Sequence, residues 1–74
     1  MEKEFKVGEF IQAQFKYGII SGVVEKVNKN VVIVRKYDVS FREVTDTNEL
    51  INITKKRVFT RFDSILESGY TIKQ

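Results

Sequence analysis

From Glu9 to Phe15 apolar and polar side chains alternate, with Ile11, Ala13 and Phe15 on one face and Gln12 and Gln14 on the other. A period of two predicts a half-buried strand. Lys16-Tyr17-Gly18 reads as a turn, and residues 19–27 predict a second strand in which Gly22 interrupts the row of side chains. A glycine inside a strand marks a bulge, a bend or a close backbone approach, as at the corner of a barrel. Asn28-Lys29-Asn30 supplies a three-residue connection, asparagine tolerating positive φ better than most residues. It leads into the β-branched run of residues 31–37, a third strand. Ile19, Ile20, Val23, Val24, Val27, Val31, Val32, Ile33 and Val34 are the expected core.

The pattern loosens after Tyr37. Residues 40–44 fit a strand end or a loop, Thr45-Asp46-Thr47-Asn48 reads as a turn, and residues 50–54 alternate again. Residues 57–62 give another strand. Asp63 is placed to cap one helical turn over residues 64–67, with Gly69 ending it, and residues 70–72 form a last short strand. These elements predict an all-β chain: a small SH3-like or KOW-like barrel of five to six short antiparallel strands, with one helical turn near residues 63–68. A closed barrel also removes the exposed sheet edges that such short strands would leave. With no proline, repeat or low-complexity tract, residues 1–74 read as one domain, residues 1–6 being a charged lead-in.

The placement of Val7-Gly8, then Tyr17-Gly18, then Gly22-Val23-Val24 resembles a KOW-type segment of an SH3-like barrel. The tract GVVEKVNKNVVIV is also similar to the YkvS-type KOW-like family of short bacterial proteins. The resemblance spans about residues 7–36. It implies the barrel and, through KOW relatives, association with nucleic acid or a ribonucleoprotein; it implies no enzymatic activity. Residues 38–49 have no counterpart in that pattern, and residues 63–69 exceed its usual closing turn.

Composition narrows the chemistry. The chain has no cysteine, which excludes disulfides and thiolate metal sites, and no histidine. The commonest general base and the strongest nucleophile are therefore both missing. Its serines lack any nucleophile-elbow context, and its carboxylates are scattered without a calcium-loop or zinc pattern, so each reads as a solvated charge. The expectation is a protein that is not an enzyme and needs no cofactor or metal. No apolar stretch is long enough to span a membrane, and the first residues do not open a secretion signal, so cytoplasmic residence is expected.

Charge is segregated. The net charge is +3, and residues 51–74 account for all of it, with Lys55, Lys56, Arg57, Arg61 and Lys73 against Asp63 and Glu67. If KKRVFTRF is extended, Lys55, Arg57, Phe59 and Arg61 share one face and Lys56, Val58, Thr60 and Phe62 the other. Cations beside an outward ring suit a nucleic-acid backbone with a base stacked on Phe59. Lys55, Lys56, Arg57, Phe59 and Arg61 are thus the candidate binding residues, with Lys16, Tyr17, Arg35, Lys36 and Tyr37 as a secondary platform. Other accounts stand beside this one: an edge strand guarded by positive charge, a strand that pairs with a protein partner or a second copy, and an Sm-like ring-forming barrel. The expected partner is RNA or a ribonucleoprotein, alternatively a protein or the chain itself, with no membrane and no small-molecule substrate.

Overall fold

The computed structural model describes residues 4–73. Six strands, β1 (Phe10–Phe15), β2 (Gly18–Val27), β3 (Val31–Ser40), β4 (Glu43–Thr54), β5 (Val58–Phe62) and β6 (Thr71–Ile72), form one curled sheet in the order β5-β1-β2-β3-β4-β6. The fold is the small all-β, barrel-like class that the alternation predicts. It is left as a half-barrel because among the described residues no strand pairing joins β5 to β4 or β6, so the sheet edges that closure would remove stay open. All neighbours are antiparallel except β6, whose two residues run parallel to β4, with Thr71 beside Glu43 and Ile72 beside Val44.

The turn glycines differ in what they do. A Cβ on Gly22 would stand 2.3 Å from Val34 Cγ1 and 2.5 Å from the Arg35 carbonyl oxygen. The chain therefore crosses β3 here only because position 22 has no side chain, which is the close approach the broken row implied. Gly18 meets no such limit. The positive φ of the β1–β2 turn falls on Lys16, and neither Asn28 nor Asn30 has one.

Residues 38–54 resolve into one hairpin. β3 runs on to Ser40, a two-residue tip of Phe41 and Arg42 turns the chain, and β4 returns without a break in strand. The expected turn at residues 45–48 is instead a bulge. The register slips between Arg35 and Tyr37, so Thr47, Asn48 and Glu49 have no single partners. Polar side chains satisfy the kinked backbone: Asp46 Oδ1 accepts from Asn48 N at 2.8 Å, and Thr47 Oγ1 donates to the Lys36 carbonyl at 2.9 Å. Those are the turn-type bonds that Asp and Thr offer, made here inside a strand.

Both faces of the sheet are covered. Ile11, Ala13, Val24, Val32, Val34 and Ile53 fill the concave side, with Phe5, Phe15 and Val58 packed against them. Phe10, Tyr37, Val44 and Ile65 form a second cluster, joined by Phe62 and Tyr70. Phe10 and Ile11 are adjacent in sequence, fully buried, and belong to different clusters, so β1 is covered on both sides. The second cluster explains the long closing segment. The single helical turn α1 (Ile65–Ser68) lays Ile65 on the outer face, and Tyr70 packs against Phe10 at 5.7 Å between ring centres. Ser64, not Asp63, caps α1 by accepting from Glu67 N, and Gly69 ends it at φ 88°. Phe5 likewise brings the supposed lead-in into the core; residues 1–3 lie outside the described residues. Ile19, expected inside, is 65% exposed on the outer face near the β1–β2 turn.

Candidate functional site

The basic heptapeptide does not form one extended face. Lys55, Lys56 and Arg57 make a 3-10 turn, and β5 begins only at Val58. The turn crosses from the end of β4 to the start of β5, and Lys55 N donates to the Asn30 carbonyl at 3.0 Å. That bond places the three cations beside the β2–β3 connection, so Lys29 joins them at one end of the barrel. Lys29, Lys56 and Arg57 are exposed and form no ion pair among the described residues. Lys55 is half-buried, with Nζ 5.9 Å from the centre of the Phe5 ring.

Phe59 faces outward, as the extended run predicts. Val58 pairs with Ala13 and Thr60 with Gln12, so Phe59 is the extra residue of a β-bulge. Freed from the ladder, its ring is 57% exposed. It stands two residues from Arg57, on the strand that leaves the cationic turn.

Arg61 is a correction. Its Nε donates to Glu9 Oε1 at 2.8 Å and its Nη2 to Glu9 Oε2 at 2.9 Å, a bidentate pair. Nη2 also donates to the Glu4 carbonyl at 2.8 Å, and the guanidinium lies 3.9 Å above the Phe5 ring. Glu9 is buried and accepts in addition from Lys6 N. These contacts turn the guanidinium toward residues 4–9, which it holds against β5, and away from the outward face read for it in the sequence. In the sequence Glu9 is one scattered acid among many. A lone Glu three residues after a Lys, with its arginine 52 positions away, leaves no local signal to find.

The secondary platform separates in the same way. Tyr37 is buried and meets Phe10 edge-on at 6.4 Å, which removes it from any binding surface. Arg35 is enclosed by Glu25 at 3.8 Å, Asp46 at 3.2 Å and the Tyr37 hydroxyl at 3.5 Å. The hydrogen bond to Tyr37 and the two carboxylates push its ionisation above the ordinary arginine range, against some desolvation. Lys36 pairs loosely with Asp38 at 3.8 Å. Only Lys16 and Tyr17 remain open, at the β1–β2 turn. That turn and the Phe41-Arg42 tip lie at the end of the sheet opposite Lys29, and Tyr17 and Phe41 are both fully exposed there. Two shallow cavities of about 350 and 370 Å³ reach from this end across the outer face, sharing Gln12 as a wall.

No family model, curated protein or solved structure matches the chain. Among the described residues, no cluster of acids could hold a metal ion, and no helix is long and apolar enough to cross a membrane.

Proposed function

We propose that this protein is a non-catalytic cytoplasmic module that holds the phosphate backbone of a nucleic acid, RNA or a ribonucleoprotein strand, at the barrel end where the 3-10 turn meets the β2–β3 connection. The observation that carries the reading is the Lys55 N to Asn30 O bond. It brings the backbone of the β2–β3 connection, with Lys29, beside the 3-10 turn, so that exposed Lys29, Lys56 and Arg57 share one end of the barrel and form no ion pair among the described residues. Phe59 adds a ring on which a base can stack. The SH3-like and KOW-like resemblance of residues 7–36 supports the same class of partner. With neither histidine nor cysteine, the chain lacks the commonest general base and the strongest nucleophile, which favours a binding role.

Such contacts act on phosphates and carry little sequence choice. Polarisation titrations of labelled mixed-sequence single-stranded RNA and DNA, repeated over a range of salt, test the reading. With three to four phosphate contacts, log affinity falls against log salt with a slope of about −2 to −3 for single strands. No binding at low salt up to about 10⁻⁴ M protein, the weak end of non-specific association, overturns it.

A further inference from the structure

We infer that the free edge of β4 pairs with the same edge of a second copy of this chain, antiparallel and centred on Asn52. β4 is twelve residues long, yet β6 covers only Glu43 and Val44, with Lys73 N reaching the Val44 carbonyl. Among the described residues no strand pairs with the outer side of Leu50–Thr54. On the inner side these five residues are in regular register with β3, from Leu50 beside Arg35 to Thr54 beside Val31. Their ladder is therefore regular, and their other edge is open to a neighbour among the described residues.

Exposed edges in proteins are ordinarily blunted by proline, by inward charge or by a bulge. Leu50–Thr54 has no proline and no charged residue. Ile51 and Ile53 point to the core, while Leu50, Asn52 and Thr54 are exposed on the other face, Leu50 at 60%. The charges flanking the segment have opposite sign: Glu49 before it and Lys55 after it. A two-fold axis through Asn52 sets Leu50 against Thr54 of the second copy and Ile51 against Ile53, and brings Glu49 and Lys55 to flank the paired residues at each end, every contact off the axis occurring twice. The same patch thus complements itself, as an isologous interface requires. The bulge at residues 47–49 then limits the pairing to five residues, which yields a closed dimer and not a growing sheet. An interface so short is at the weak end of specific association.

The test uses the whole chain. Sedimentation equilibrium over rising concentration is expected to show a monomer–dimer equilibrium. Glu49→Lys sets two like-charged pairs across the axis and weakens the dimer by about tenfold or more. Adding Lys55→Glu to that variant rebuilds both pairs with reversed sign and restores the wild-type affinity. Because the chain has no cysteine, Asn52→Cys introduces a single thiol that meets its own copy across the axis. Its oxidation to a covalent dimer is expected to outpace that of Glu67→Cys, on exposed α1, by about tenfold or more through effective concentration. Glu49, Asn52 and Glu67 are exposed and Lys55 is half-buried against Phe5, so circular dichroism first shows that each variant is folded before its dimerisation is read. A monomer at every concentration up to about 1 mM, a dimer indifferent to Glu49→Lys, or equal cross-linking at positions 52 and 67 each overturns the inference.

Discussion

Within the heptapeptide KKRVFTR, Arg57 and Arg61 are four residues apart and chemically identical, yet they do opposite work. Arg57 sits on the 3-10 turn, exposed and without an acid partner among the described residues. Arg61 is locked by two hydrogen bonds to a buried carboxylate and by a third to the Glu4 carbonyl. The difference lies in the backbone. The 3-10 turn swings residues 55–57 out over the barrel end, whereas β5 lays Arg61 beside Ile11, next to the segment that carries Glu9. A run of charge in a sequence therefore counts cations; it does not say which of them the fold has already used.

The largest expected effect breaks the buried half of that comparison. Arg61→Ala leaves Glu9 charged, 6% exposed and without its guanidinium. Removing one partner of a buried pair costs about 3–5 kcal/mol, and about 3 is expected here because the Arg61 side chain keeps 26% exposure. A domain of this length has roughly 4–11 kcal/mol in all, so the loss is a large shift of the urea midpoint, readable by circular dichroism. Glu9→Gln combined with Arg61→Met removes both charges and recovers part of the loss, giving a coupling energy of about 1–3 kcal/mol in a double-mutant cycle. A loss below about 0.5 kcal/mol for Arg61→Ala, the range of ordinary surface changes, means that solvent already shares the pair.

The next effect tests the exposed half. Lys56→Glu with Arg57→Glu leaves stability within about 0.5 kcal/mol, because neither side chain touches the core. Oligonucleotide affinity, in contrast, falls at least about tenfold, and the salt slope shrinks by about 1 to 2 as two phosphate contacts are lost. Binding unchanged in this variant moves the interface away from the 3-10 turn, and the Tyr17 and Phe41 end becomes the place to look.

The sequence revealed the elements whose signal is local. Alternation in residues 9–15, the apolar run 19–27 and the β-branched run 31–37 mark the first three strands, and Gly22 marks a place where β2 and β3 crowd each other. What could not be read locally depended on distant partners. The polar residues Thr45 to Asn48 look like a turn because their side chains make turn bonds, and only the facing β3 keeps that stretch in register as a bulged strand. Phe10 and Tyr37 carry no alternation cue for burial; they are buried because Ile65 and Tyr70, from the far end of the chain, cover the outer face. The site shows the same limit. Exposure of Arg57 and Phe59 followed from the outward face of the run, whereas Lys55, on that same face, is half-buried and Lys56, on the opposite one, is exposed because the 3-10 turn replaces the extended backbone. The placement of Lys29 beside the 3-10 turn, and the internal partners of Arg61, Tyr37 and Arg35, follow from contacts made across the fold.

Arg35 is the intermediate case, and it sharpens the comparison at its weak end. Its guanidinium faces two carboxylates, like a doubled version of Arg61, but its side chain is 34% exposed and those of Glu25 and Asp46 are 38% and 33% exposed. The Nε lies 3.2 Å from Asp46 Oδ2 without the alignment of a hydrogen bond, so the attraction is Coulombic and open to screening. Its ionisation is raised by Tyr37 first, then by Asp46 and Glu25. A cation whose folded-state value is raised contributes stability below its unfolded value and loses it only as pH climbs through the folded one. For arginine that window lies beyond ordinary alkaline conditions, so the stability of the wild-type chain shows no arginine step as pH rises. Arg35→Met is accordingly expected to lower the urea midpoint less than Arg61→Ala does, with the difference from wild type shrinking in about 1 M salt, where the screening length is about 3 Å. An Arg35→Met loss as large as that of Arg61→Ala, and unmoved by salt, would show that partial exposure does not separate the two arginines.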